Sequence, residues 1–166
     1  MHYQSYIRVK YIMFNQIYKI ANLRKEKYSI ENIVPQSIYV RDGTIKKDMH
    51  NLILYPKNMN SHRSNYKYVD DPRIYGDSII LNTCGDIIKY QRGYKNKHSI
   101  KSNKLKIFHP QKKYKGKIAR ACMYFIKVYN LKDIIFKYVI DPYTILLWHH
   151  QHPVSNFEKK KNKIIM

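Results

Sequence analysis

The sequence predicts an α+β fold, with two short strands and a helix in its first half and further helices in its second. Three observations carry that expectation. A β-branched run from Ile30 is stopped by Pro35, a second run from His50 to Tyr55 is stopped by Pro56, and from Gly116 onward apolar residues recur at helical spacing. With 166 residues, 44% of them hydrophobic, the chain suits a single domain over 1–166 with a modest core.

The segment from Tyr6 to about Leu23 places Tyr11, Phe14, Ile17, Tyr18 and Ala21 near helical period and is expected to pack as a helix on the core. Ile30 to Ile38 reads as a strand that turns away after Pro35. Arg41-Asp42-Gly43-Thr44 supplies a hairpin-type turn. His50 to Tyr55 is the second strand, and Lys57 to about Tyr66 a helix. A polar connection, Val69 to Gly76, leads into Ser78–Leu81 and Asp86–Tyr90, which are expected to pair. Gln91 to Lys104, nearly all basic and polar, reads as a mobile loop. Gly116 opens a helix running to about Tyr129. Asp141-Pro142 starts another, because aspartate caps free amides and proline fits the first turn without losing a bond. Ser155-Asn156-Phe157-Glu158 reads as a capping box, in which serine and glutamate satisfy each other's backbone amides.

Charge narrows the partner. The formal charge is +21, from 32 Lys and Arg against 11 Asp and Glu, far beyond what solubility needs, and it implies a polyanion with nucleic acid foremost. Between Asp86 and Asp133 there is no acidic residue, while fourteen Lys and Arg accumulate. A solubilising face or a membrane-surface patch is the bland alternative. Tyr90, Tyr94, Phe108 and Tyr114 interleave with this block and are suited to stacking on bases, although 17 Tyr in the chain also reflect a composition rich in Lys, Ile, Asn and Tyr. Cys84 and Cys122 are too few for a disulfide framework and fit a reducing compartment. Near the N-terminus, Arg8, Lys10, Asn15 and Gln16 interrupt each apolar run before the roughly 7–15 residues of a signal peptide core. No segment is long and apolar enough to span a membrane. The expected location is intracellular or virus-associated.

The chemistry is concentrated in three blocks. They are Ser29-Ile30-Glu31-Asn32-Ile33-Val34-Pro35-Gln36-Ser37, Asp48-Met49-His50-Asn51-Leu52, and Asn58-Met59-Asn60-Ser61-His62-Arg63-Ser64-Asn65-Tyr66. A carboxylate, an amide oxygen, and imidazole and guanidinium groups in so short a stretch can hold a hard divalent cation against a phosphate. These blocks resemble the core of the endonuclease I family of non-specific nucleases, of the ββα-metal (His-Me finger) superfamily. Gly116-Lys117-Ile118-Ala119-Arg120 through Tyr124 is similar to a second signature of that family.

The resemblance implies a metal-dependent endonuclease, largely indifferent to sequence, that hydrolyses DNA, with RNA as an open second substrate. It implies Mg²⁺, or another divalent cation such as Mn²⁺ or Ca²⁺, held by Glu31 and Asn60. It gives His50 and Asn51 a supporting role, and Arg41, by position alone, the neutralisation of the cleaved phosphate, with Lys46 and Lys47 as substitutes. Arg63 matches the family's helix motif and is assigned either to DNA phosphate or to a local acid such as Asp70 or Asp71. Lys112, Lys113, Lys115, Lys117 and Arg120 are expected to contact nucleic acid as well.

One departure matters most. Where the family carries its general-base histidine this chain has Asn32, whose amide cannot take up a proton, so strong impairment is expected. Three origins fit: a deliberate His-to-Asn change, which the intact surroundings favour; a natural binding-only relative; or takeover by His50 or His62. The rival from another class is therefore a catalytically dead protein that binds or packages DNA. A ribosome- or RNA-associated basic protein is a third reading. Oligomeric state is not legible.

Overall fold

The computed structural model describes residues 28–39, 45, 48–71, 79–81, 87–88, 99–102 and 105–165. The helix expected near the N-terminus, the Asp-Gly turn with Arg41, and Cys84 lie outside them. Among the described residues no helix is long and apolar enough to cross a membrane.

The architecture is α+β. Strand β1 (Tyr28–Asn32) pairs antiparallel with β2 (Leu52–Pro56), and helix α1 (Lys57–Arg63) follows directly, in the strand, strand, helix order expected. Strand β1 ends at Asn32 instead of Ile38. The Asn51 side chain explains this: its Oδ1 accepts from Val34 N at 2.7 Å and its Nδ2 donates to Val34 O at 3.0 Å, so an amide takes the place of a strand partner. Residues Gln36–Ile38 then form a 3-10 turn. A second such turn, Met49–Asn51, precedes β2 and is capped by Asp48, which accepts from His50 N. Helix α1 closes at Arg63, short of Tyr66, because Ser64 adopts a positive φ of 51° while its N–H caps Asn60 O.

The second sheet has the order β3-β7-β6-β4-β5, with β3 Lys67–Tyr68, β4 Ile79–Leu81, β5 Ile87–Ile88, β6 Ser99–Ser102 and β7 Ile107–His109. The pairing of β4 with β5 is the expected hairpin. Strand β6 corrects the reading of 91–104 as a mobile loop, since Ser99–Ser102 pairs with β4 on one side and β7 on the other. Local polarity hid it, because a strand's pairing depends on its neighbours more than on its own composition.

Helices α2 (Lys112–Tyr129), α3 (Lys132–Tyr138), α4 (Pro142–Gln151) and α5 (Asn156–Ile165) complete the chain. The core joins Phe108, Ile118, Cys122, Phe125, Ile135 and Trp148 to Ile33, Val34, Tyr55 and Met59, so α2 and α4 pack against the first strand pair as well as each other. Asp141 caps α4 as expected, accepting from Thr144 N at 2.8 Å. The box at α5 is half made: Ser155 Oγ accepts from Glu158 N, but the Glu158 carboxylate turns to Arg120.

Gly116 lies inside α2 instead of at its start. A Cβ there would stand 2.4 Å from His152 O and 2.7 Å from His152 Cβ, so only glycine allows the α2–α4 approach. Ala in place of Gly normally favours a helix by about 1 kcal/mol. Here overpacking should dominate, and Gly116→Ala is expected to destabilise the fold by about 1–3 kcal/mol, measured by urea denaturation. A gain in stability would contradict this close approach.

Candidate active site

The site grows from the seam between β1 and α1. Side chains alternate along a strand, so Ser29 and Glu31 share one face of β1. Helix α1 lies against that strand. Asn60 Nδ2 donates to Ser29 Oγ at 3.0 Å and to Ile30 O at 3.2 Å, which leaves its amide oxygen outside these bonds. Three residues on, one helical turn along, Arg63 Nη1 donates to Glu31 Oε1 at 2.7 Å. The structure thus brings Glu31, Asn60 and Arg63 to one strand–helix junction.

The ion pair is buried, with Glu31 5% and Arg63 2% exposed. Arg63 Nη1 also donates to Asn32 O at 3.1 Å and Nη2 to Ile33 O at 2.8 Å, while Arg63 Cζ stands 4.5 Å from the centre of the Tyr68 ring. Its terminal nitrogens are therefore committed inside the protein. Between the two roles considered for Arg63, the acid prevails over phosphate, and the acid is Glu31 instead of Asp70 or Asp71. Burial pushes the Glu31 carboxyl up to about 7, against the opposing charge and hydrogen bond of Arg63. Burial thus outweighs the single guanidinium beside this carboxyl.

Asn32 stands at the end of β1, opposite Leu52. Its Oδ1 accepts from Asn51 Nδ2 at 3.3 Å. Asn51 is fully buried and also donates to Tyr39 Oη at 2.9 Å, with its backbone oxygen accepting from Ile33 N. Position 32 is thereby held from its side chain and its carbonyl. His50 Nδ1 lies 3.0 Å from Asp48 Oδ1, and its ring stacks on Tyr124 with centroids 4.1 Å apart. Tyr124 and Tyr129 hydroxyls both donate to Asp48 Oδ2. Burial alone would raise the Asp48 carboxyl, but hydrogen bonds from His50 and Tyr129 outweigh it and hold it well below the usual carboxylate range. Neither Tyr124 nor Tyr129 was foreseen as part of this network; the family-like Tyr124 was the available signal.

The basic residues divide by depth. Lys112 and Lys113 are exposed and Lys117 is half-buried. Lys115 is turned inward: its Nζ bonds Asp70 Oδ1 at 2.8 Å, an oxygen that also accepts from Trp148 Nε1. Arg120 is forked onto Glu158, with Nη2 to Oε2 at 2.8 Å, and donates to His152 O at 2.7 Å. Charge counting alone placed Lys115 and Arg120 on nucleic acid. Their partners, Asp70 and Glu158, lie 45 and 38 residues away, a separation that no sequence pattern reveals.

The bonds at the β1–α1 junction do not involve Glu31 Oε2 or Asn60 Oδ1. Among the described residues no group of three or more His, Cys, Asp or Glu converges on a metal position. The chain matches the family model for Endonuclease I over residues 4–166. It belongs to the endonuclease I family. That membership makes nuclease chemistry, a nucleic-acid substrate and the general use of a divalent metal properties of its family. No curated protein matches the chain.

Two outcomes test the endonuclease seam. Arg63→Met leaves a buried carboxylate without its cation and should cost about 3–5 kcal/mol at pH 8. The loss should be smaller at pH 5, below the Glu31 value of about 7, where a protonated side chain needs no counter-charge. An equal loss at both pH values would refute the electrostatic account. Asp48→Ala should cost about 1.5–3 kcal/mol at pH 7. A depressed carboxyl stabilises above its unfolded value and loses that contribution on protonation, so this penalty should shrink as the pH falls below about 4. Denaturation at pH 7 and pH 3 measures it, and a constant penalty would count against the network.

Proposed function

We propose that this endonuclease I family member is built as a metal-dependent, largely sequence-non-specific endonuclease of the ββα-metal type that acts on DNA, with RNA as an open second substrate. The observation that carries the reading is the β1–α1 seam, where a buried Glu31 is held by Arg63 and the Asn60 amide is pinned to the same strand face. The donor set fits a hard cation: a carboxylate and an amide oxygen suffice for Mg²⁺, which keeps several waters, and Mn²⁺ or Ca²⁺ accept the same oxygens. Glu31 and Asn60 would hold it. When bound, such an ion polarises the phosphate and eases departure of the 3′-oxygen.

The chain's own groups do the rest. Arg63 fixes the Glu31 carboxylate and braces the carbonyls that follow it. Asn51 holds Asn32 through Oδ1, and Asn32 can orient a water but has no basic nitrogen to accept its proton. His50, tied to Asp48 and stacked on Tyr124, supports the turn that carries Asn51. Arg41 remains the proposed partner of the cleaved phosphate. Outward lysines hold the backbone electrostatically and read little of the base sequence.

Impairment at position 32 keeps a second reading alive, a protein that binds DNA without cutting it. The bonding of the Asn32 amide into the Asn51 network favours it, because the residue there is accommodated without a catalytic role. Plasmid incubated with Mg²⁺ and either this chain or Asn32→His separates the two. Restoring the imidazole should raise the cleavage rate by about 10²–10⁴. Inertness of both proteins, with DNA binding retained, would establish the binder and end the nuclease reading.

A further inference from the structure

The lysines of α5 are not used by the site described above, yet α5 is fastened to it. Lys161 Nζ donates to Leu52 O at 2.9 Å, and Leu52 is the β2 residue opposite Asn32. On the other side, the Arg120–Glu158 fork locks α5 to α2. These two bonds orient the helix. Glu158 is buried and Lys161 half-buried, whereas Lys159, Lys160 and Lys163 are exposed together on the outer side.

That outer side is costly for the protein alone. Lys159 and Lys163 are four residues apart on one helix, as are Lys113 and Lys117 on α2, and like charges at this spacing oppose a helix. Among the described residues none of these ammonium groups has a carboxylate partner, whereas the cations turned inward do. At the junction of the two helices lies Phe157, 59% exposed, with Lys117 Nζ 5.4 Å from its ring centre. Burial holds the Lys117 ammonium below its ordinary value; Glu158 opposes that, and Arg120 and Lys113 add to it.

Crowded cations around an exposed aromatic ring match a polyanion that also offers a flat ring. We propose that the α2–α5 face binds single-stranded polynucleotide, with Lys159, Lys160 and Lys163 on successive phosphates and Phe157 stacked on a base. A duplex hides its base faces within its own stack, so Phe157 has a stacking partner only where the strand is unpaired. The inference rests on the nucleic-acid substrate proposed above and narrows its class: strand segments that are single or locally opened are gripped beside the strand pair that carries Glu31.

The test is anisotropy titration of the full chain, in EDTA, with a labelled oligothymidylate and a duplex of equal length. Phe157→Ala should weaken single-strand binding about 5–100-fold and leave duplex binding within about twofold, while Phe157→Trp retains the affinity. Replacing Lys159, Lys160 and Lys163 together by Gln should reduce the slope of log K against log salt by about 2 for the single strand. Unchanged single-strand affinity in Phe157→Ala, equal losses on both probes, loss in both Phe157 variants, or an unchanged salt slope would each overturn the proposal. The nuclease reading fails by a different result, inertness of Asn32→His with Mg²⁺, and the two failures are therefore distinguishable.

Discussion

The buried Arg63–Glu31 pair is the constraint around which the endonuclease seam is organised. Removing two charges from water is expensive, and the attraction between them offsets that only when the remaining donors are also satisfied. Arg63 meets most of that condition by reaching the carbonyls of Asn32 and Ile33 and lying over Tyr68, although its Nε, also buried, has no partner among the described residues. One guanidinium thereby ties α1 to β1 and to the first strand of the second sheet. The same arrangement holds the proposed metal-binding carboxylate, Glu31, below the surface.

Around this pair the protein replaces backbone pairing with side-chain pairing. Asn51 stands in for a strand at Val34, and Asp48 collects donors from His50, Tyr124 and Tyr129. A hydrogen bond to a charged group contributes roughly twice what a neutral one does. Polar groups on the short segment between β1 and β2 are thus anchored to α2, many residues away.

The large positive charge has two physical fates. Inward cations are matched one by one, Arg63 with Glu31, Lys115 with Asp70 and Arg120 with Glu158, and serve the fold. Outward cations on α2 and α5, among them Lys112, Lys113, Lys159, Lys160 and Lys163, stand exposed. Three of the eleven acidic residues, Glu31, Asp70 and Glu158, are engaged by the inward cations.

Periodicity, proline stops and capping residues are local signals, and they sufficed for the two strand segments, for the start of α1 and for the Asp141 cap, because each of these depends on neighbours a few positions away; Glu31, Asn60 and Asn51 were singled out by the family resemblance of their motifs. The pairing of β6, the end of β1 at Asn32, the Gly116–His152 approach and the inward turn of Lys115 and Arg120 were not legible. Each is decided by a contact between segments distant along the chain, and the cost of an unpaired buried charge or of a misplaced Cβ exists only once those segments have met. Composition determined the large positive charge and pointed to a polyanion; tertiary packing alone decided which of those charges are turned inward and which stand at the surface.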